Sequence, residues 1–320
     1  MTKSKLIINS LLSLVIATVC LFLFIENSDG DLNLTKLFTI IYDGWYYLLL
    51  IFALKLISVY LRSLRWKYLF QDNLSNNINH LFSAQFVSYF INNISPIRIG
   101  DFAKSYIVAK KTNNKTSYLL GSIIMERFLD TLMLCVFSIA LIWHYGSDYL
   151  DFDFSSLFIP ISILCIMLGG GYLVYYFFTP TKIKDILDEM WRGFTGIHSS
   201  RKSIVIFSSI LIWTIYWVNP FLISFYLFPE LGLDFMDCLL ILVVSSFVQF
   251  IPIGFGALGV FHLGVDVVLS DYLNIPSNPN FVTMLWLYSY IFYTTLGSYY
   301  FLKESRFTLK NLYHDWIKNY

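Results

Sequence analysis

The sequence predicts an all-α polytopic membrane protein with six full spans and two re-entrant helical hairpins in an inverted-topology repeat. Three observations predict it. Of 320 residues, 57% are hydrophobic and 13% charged, whereas a globular chain carries about a quarter charged residues. The apolar residues fall in long runs, and the basic and acidic residues sort to alternate loops. The same composition excludes a disordered chain, a basic nucleic-acid-binding domain and a disulfide scaffold.

Six runs are long enough to cross about 30 Å of hydrocarbon as helices: Leu6 to Ile25, Trp45 to Leu61, Leu119 to His144, Leu157 to Phe178, Ile204 to Phe228 and Phe281 to Leu302. The first has a Lys3 and Lys5 flank like a signal peptide, but Glu26-Asn27-Ser28-Asp29 follows it instead of a small-residue cleavage site, so it reads as a retained helix. Lys55 interrupts the second run and can snorkel or pair.

Two further stretches stop half-way. Leu81 to Ile91 ends at Asn92-Asn93-Ile94-Ser95-Pro96-Ile97-Arg98-Ile99-Gly100-Asp101, and a second arm runs to about Ala109. Cys238 to Phe250 ends at Ile251-Pro252-Ile253-Gly254-Phe255-Gly256-Ala257-Leu258-Gly259, and its second arm runs to about Leu269. Proline removes a backbone donor and glycine loosens the chain, so both sites should unwind where protein or a wet cavity satisfies the freed groups. Each reads as a re-entrant hairpin, over 81–109 and 238–269.

With both termini cytoplasmic, each span flips the chain and each hairpin returns it. The predicted cytoplasmic segments then hold eighteen of the 22 lysines and arginines, as the positive-inside rule requires. The outer loops keep Lys36 and most of the acidic residues, while Lys55, Arg98 and Arg127 lie at membrane depth. Counting either hairpin as a full crossing would mix the two loop types.

Both halves then follow one plan of span, span, hairpin, span, and an odd number of spans turns the second half upside down. Residues 1–180 hold the first half together with the fourth span, 157–178, which opens the second. Residues 181–203 form a cytoplasmic linker, amphipathic around Ile183, Ile186, Leu187 and Met190 and suited to the inner leaflet. The second half continues over 204–302, and 303–320 is a cytoplasmic tail. Val87-Ser88-Tyr89-Phe90 before Pro96 is echoed by Val244-Ser245-Ser246-Phe247 before Pro252.

Helix 119–144 carries Glu126, Arg127 and Asp130 on one face at 100° per residue, and the first hairpin adds Arg98, Asp101 and Lys104. These three cations and three anions suit a paired network. Two readings stand: the network locks hairpin to helix, or Arg98 and Arg127 exchange an internal carboxylate for an incoming phosphate or carboxylate. Gly254, Gly256 and Gly259 allow either close helix packing or an anion-binding nest. His262 and Asp266, at i and i+4, are a structural pair or a proton-coupling pair. Arg62, Arg65 and Trp66 read as interfacial lipid contacts. The cysteines and histidines have no metal-ligand spacing, so neither a metal nor another cofactor is expected.

Arg62-x-x-Arg65-Trp66, the run Asn93 to Lys104, Glu126-Arg127-Phe128-Leu129-Asp130 and Pro252 through Val260 resemble the lysylphosphatidylglycerol synthase/flippase integral membrane family over about Leu6 to Leu302. Asp101 and Lys104 stand where that family often has Glu and Arg, and His262 stands where it often has Glu. The resemblance implies a flippase-like domain without the soluble synthase domain, linked to aminoacylated phospholipids or lipid-linked glycans. The expectation is a non-enzymatic transporter of the inner (plasma) membrane. It would take an anionic lipid or polyprenyl-phosphate-linked substrate in a charged midplane cavity, with no nucleic acid. A membrane-embedded transferase and a non-transporting envelope-assembly factor are the rivals. Membrane lipids are the expected partners, with a homo-oligomer or envelope-biosynthesis proteins as further ones.

Overall fold

Burial runs opposite to that of a water-soluble protein. Along helix α6 (Thr116–Tyr145), Ile124, Phe128, Leu132, Val136, Ile139 and Trp143 recur at three- and four-residue steps and are all exposed, while Glu126 and Asp130 are buried. That outer stripe runs over nineteen residue-to-residue steps from Ile124 to Trp143, about 28 Å at 1.5 Å per step, close to the thickness of a hydrocarbon core. The chain is a helical membrane protein.

The computed structural model describes residues 3–27, 32–69, 78–95, 98–112, 114–146, 181–196, 201–250 and 255–304, without the side chains of 3–13, 181–183 and 250. These residues form eleven α-helices and no strand. After α1 (Lys3–Asn27) come α2 (Leu34–Asp43), α3 (Trp45–Tyr68), α4 (Ile78–Ile94), α5 (Gly100–Thr112) and α6. Then follow α7 (Thr181–Phe194), α8 (Lys202–Leu227), α9 (Phe235–Phe250), α10 (Val260–Val267) and α11 (Pro279–Lys303). A π-helical turn, Val268–Tyr272, extends α10.

By length and apolarity, three of the described segments qualify as membrane spans: α3, α8 and the run Phe255–Tyr272. Leu14–Glu26 and Phe235–Gln249 are apolar but shorter. Helices α6 and α11 have 30 and 25 residues; the first carries three ionisable residues and the second is rich in Tyr, Ser and Thr. The expected fourth span, 157–178, and the tail from 305 lie outside the described residues.

Packing follows a cross-over pattern. Helix α3 lies against α8; α4 packs on α11 and α6 on α9; α4 pairs with α5 and α9 with α10; α5 meets α6 and α10 meets α11. Helix α1 packs on α10. The largest apolar cluster accordingly joins Phe24, Leu37 and Ile51 to Ile223, Val265 and Phe281, so the two halves share one core.

Both expected helix breaks are interruptions of regular helix among the described residues. At the first, the Asn92 side chain reaches across the turn and accepts from the Gly100 amide at 2.7 Å, satisfying a free donor at the α5 N-terminus. Gly100 is needed there, because a Cβ would sit 2.1 Å from the Ser88 carbonyl. At the second, Phe255, Gly256 and Ala257 take positive φ in succession (57°, 65° and 59°), a left-handed turn that L-residues other than glycine adopt at a cost. The breaks touch: the Phe255 amide donates to the Ser95 carbonyl at 3.3 Å, and Arg98 donates to the Gln249 carbonyl. Pro96, Pro252 and Gly254 lie outside the described residues.

Two elements add detail that the sequence does not show. The segment expected as an outer loop contains α2, started by Asn33, whose side chain accepts from the Lys36 amide. The Asn33 amide donates to Asn280 and so ties the α2 start to α11. The linker 181–203 holds the helix α7, which seats against α6: a Cβ on Gly121 would be 1.9 Å from the Met190 carbonyl, and one on Gly193 equally close to the Tyr118 carbonyl. Backbones meet where both helices drop the side chain. Gly193→Val should therefore force α6 and α7 apart and destabilise the protein by about 1–3 kcal/mol, read as a lower melting temperature in detergent, with Leu187→Ala as a mild control.

Candidate functional site

Helix α3 ends with Arg62 and Arg65 one turn apart, on the side facing α6. Arg62 donates from Nε to Glu126 Oε1 at 3.1 Å, from Nη2 to Asp130 Oδ2 at 2.8 Å and from Nη1 to the Tyr216 hydroxyl at 3.1 Å. Arg65 donates from Nη2 to Asp130 Oδ1 at 2.8 Å and from Nη1 to Ser209 at 3.0 Å. From α5, Lys104 reaches the other Glu126 oxygen at 2.7 Å, with its ammonium 4.1 Å from the Trp66 ring centroid. Glu126, Arg65 and Lys104 have no exposed side-chain surface. Three cations thus surround one carboxylate, and each is hydrogen-bonded as well as paired, the condition under which buried ions are tolerated.

A second group faces a cavity. Arg127 clamps Asp101 through Nε and Nη2 at 3.0 to 3.2 Å, and both side chains are partly exposed (40% and 30%). Together with Arg62, Arg98, Asp130 and Lys55 they line a cavity of about 390 Å³ at the junction of the two halves. The opposite wall comes from α8, α9 and α11 and includes Trp213, Asn219, Ser245 and Trp286. Asn219 precedes Pro220 inside α8, so the Tyr216 carbonyl lacks its helical donor beside the cavity, where water can supply one. The Asn219 side-chain oxygen is buried without a partner. That volume suits a head group, not a whole lipid.

The structure rearranges the expected site. Arg62, Arg65 and Trp66 do not face lipid: all three are buried, and Trp66 donates to Ser122 at 3.0 Å. Their position near a helix end suggested the interface, but the i, i+3 arginines fall on the face turned to α6. The charge cluster is consequently not the neutral set of six; two further arginines make it net positive. Arg62, Arg65 and Lys104, counted among the cytoplasmic cations, are interior residues. Arg98 is bonded to a backbone carbonyl across the second break, and among the described residues no ion pair joins it to a carboxylate.

Lys104 and Glu126 sit behind the cavity wall, while Asp101, Arg127 and Asp130 belong to it. Gly256 lines the cavity and accepts from the Trp286 indole at 2.8 Å. Gly259, at φ 80°, allows α10 to approach α1, since a Cβ would be 2.4 Å from the Ala17 carbonyl; it serves packing. His262 and Asp266 face different partners: His262 lies among Phe24, Phe261 and Trp286 with Nδ1 unbonded, and Asp266 accepts from Ser277. Lys55, Tyr216 and Asn219 were missed as site residues; the lysine inside an apolar run was their only sequence signal. Among the described residues no His, Cys, Asp and Glu group has metal-binding geometry.

The family described as "Lysylphosphatidylglycerol synthase TM region" matches residues 10–297. The chain is similar to UPF0104 membrane protein MJ1595 of Methanocaldococcus jannaschii, at 24% identity over 86% of this chain and 90% of that protein. It is also similar to UPF0104 membrane protein MJ1078 of the same organism, at 25% identity over 65% of this chain and 89% of that protein. No solved structure matches.

The ion cluster makes a stability prediction. Glu126→Gln leaves three buried cations sharing fewer anions and should destabilise the protein by about 3–5 kcal/mol. Adding Lys104→Met should restore part of that loss, measured by thermal unfolding of both variants in one detergent.

Proposed function

This chain belongs to the lysylphosphatidylglycerol synthase TM-region family, and from that premise we propose that it is a flippase-like transporter of a phosphate-bearing lipid. The lipid is an anionic phospholipid or a polyprenyl-phosphate-linked molecule, whose head group enters the charged cavity. The observation that carries the reading is the cavity itself: Lys55, Arg62, Arg98 and Arg127 line it against the carboxylates of Asp101 and Asp130. An anion entering there can take over the Arg127 fork from Asp101, the more exposed of the ion pairs that α6 makes.

The architecture we propose is six spans with hairpins α4–α5 and α9–α10 entering from opposite leaflets, both termini cytoplasmic. The cross-over packing supports an inverted repeat. If α3 corresponds to α8, α4 to α9, α5 to α10 and α6 to α11, then the α4–α11 contact has its counterpart in α9–α6, and α3–α8 is its own counterpart. The touching breaks, Ser95 with Phe255, support a common depth for the two hairpins. Gly256 remains in the proposed binding wall; Gly254 is proposed with it from the sequence alone. His262 and Asp266 are proposed for proton coupling only as separate groups.

A transport reading is favoured over the transferase because a transferase needs a carboxylate free to act as base. Asp101, Glu126 and Asp130 each accept from at least one arginine or lysine. In liposomes, the purified protein should move a fluorescent anionic phospholipid between leaflets. Arg98→Ala and Arg127→Ala should slow that movement by roughly tenfold or more, compared at equal amounts of folded, inserted protein. Undiminished movement in both variants refutes the cavity reading, and transfer of a labelled sugar onto polyprenyl phosphate by the pure protein would establish the transferase instead.

A further inference from the structure

Lys55 is the buried cation of the lining to which the transport reading gives no part of its own. It sits in α3, is 5% exposed, and lines the cavity. Its ammonium donates to the Ser289 hydroxyl at 2.6 Å and lies 4.2 Å and 4.8 Å from the ring centroids of Tyr288 and Tyr293. Ring faces stabilise an ammonium without neutralising it, and no ion pair to a carboxylate joins Lys55 among the described residues. An ammonium has three donors, so after Ser289 it can still give two to an occupant of the cavity.

The rest of the lining sets what that occupant carries beyond the phosphate. Four cations line the cavity against two carboxylates, and both carboxylates are already engaged: Asp101 by Arg127, Asp130 by Arg62 and Arg65. With the phosphate held at Lys55 and the Arg127–Asp101 pair left closed, a second ammonium brought in on a head group meets like charge and no free carboxylate there, an arrangement that costs affinity. The remaining wall offers Asn92, Asn93, Asn219 and Ser245 beside the rings of Trp213 and Trp286. Amides bond hydroxyl groups in either direction and ring faces cover carbon-hydrogen faces. The unpartnered, buried Asn219 oxygen is an acceptor for such a hydroxyl.

We propose that Lys55, held by Ser289 between Tyr288 and Tyr293, is the phosphate-binding subsite of the cavity. With the amide and indole wall opposite, it selects phosphate lipids whose head group is uncharged and hydroxyl-rich, glycerol or sugar, over aminoacylated ones. The inference rests on the transport reading and sharpens its substrate class.

The test titrates the purified full chain in detergent with dioctanoyl phosphatidylglycerol, dioctanoyl phosphatidylinositol and dioctanoyl lysyl-phosphatidylglycerol, read by thermophoresis. The first two should bind saturably, the lysyl lipid about tenfold or more weakly. Lys55→Gln should weaken the two anionic lipids by about tenfold and Lys55→Arg by much less. The comparison of lipids on the unaltered protein decides the selectivity even if Lys55→Gln does not fold. Equal or tighter binding of the lysyl lipid overturns it. Unchanged affinity in Lys55→Gln, with loss in Arg98→Ala and Arg127→Ala, overturns the subsite and leaves the transport reading standing. Binding of none of the three lipids overturns both. Glycerol phosphate competing as well as the lipids do would reassign the subsite to a soluble phosphate ester and overturn the lipid assignment.

Discussion

Glu126 has no exposed surface, and Arg62, Arg65 and Lys104 converge on it from two other helices. Each such ion at membrane depth costs about 2.5–3.5 kcal/mol on insertion scales when it stands alone. The cost is offset only if all partners arrive together, so α3, α5 and α6 are fixed relative to one another by the charges they carry. Asp130 extends the constraint to α8 through the Trp213 indole at 3.2 Å. Apolar packing alone cannot impose this register inside lipid, where a leucine gains nothing by exchanging acyl chains for protein.

The cluster also explains how so short a helix as α5 is held in place. Helix α5 is thirteen residues long and would have little to hold it in a bilayer. Lys104 ties it to α6, Asp101 ties it there a second time through Arg127, and Asn92 joins its first turn back to α4. At α9 and α10, Gly259 lets α10 press its backbone onto α1, while Trp286 holds the Gly256 carbonyl.

Much of this was legible in the sequence, and the limits have physical causes. The two breaks could be read from proline and glycine between short apolar arms, since both residues free backbone groups that only protein or water can satisfy. Glu126, Arg127 and Asp130 announced themselves as ions inside an apolar run. What the sequence did not give was which cations would meet them. Arg62 and Arg65 lie near a helix end, where anchoring to lipid head groups is the cheaper arrangement for an isolated helix; only the packing of α3 beside α6 turns them inward. Helix α2 was hidden because its apolar face, around Leu37, is short and its start depends on a single asparagine. The proximity of Lys55 to Ser289 spans most of the chain and leaves no local trace.

The two halves of the chain line the cavity with different charges. Every ionisable Lys, Arg, Asp or Glu lining the cavity comes from the first half, and the second half supplies amide, hydroxyl, indole and phenol groups. The consequence is an ordering of strengths. Charge-assisted bonds are roughly twice as strong as neutral ones, so a phosphate would be held by α3, α5 and α6, while the rest of the head group would rest on weaker, interchangeable contacts from α8, α9 and α11. If one half moved against the other, the anion could stay with its cations while the neutral wall slid past. The inner ions, Glu126 with Arg65 and Lys104, would keep the charged wall rigid during such a movement, because separating any of them would leave an unpaired charge buried.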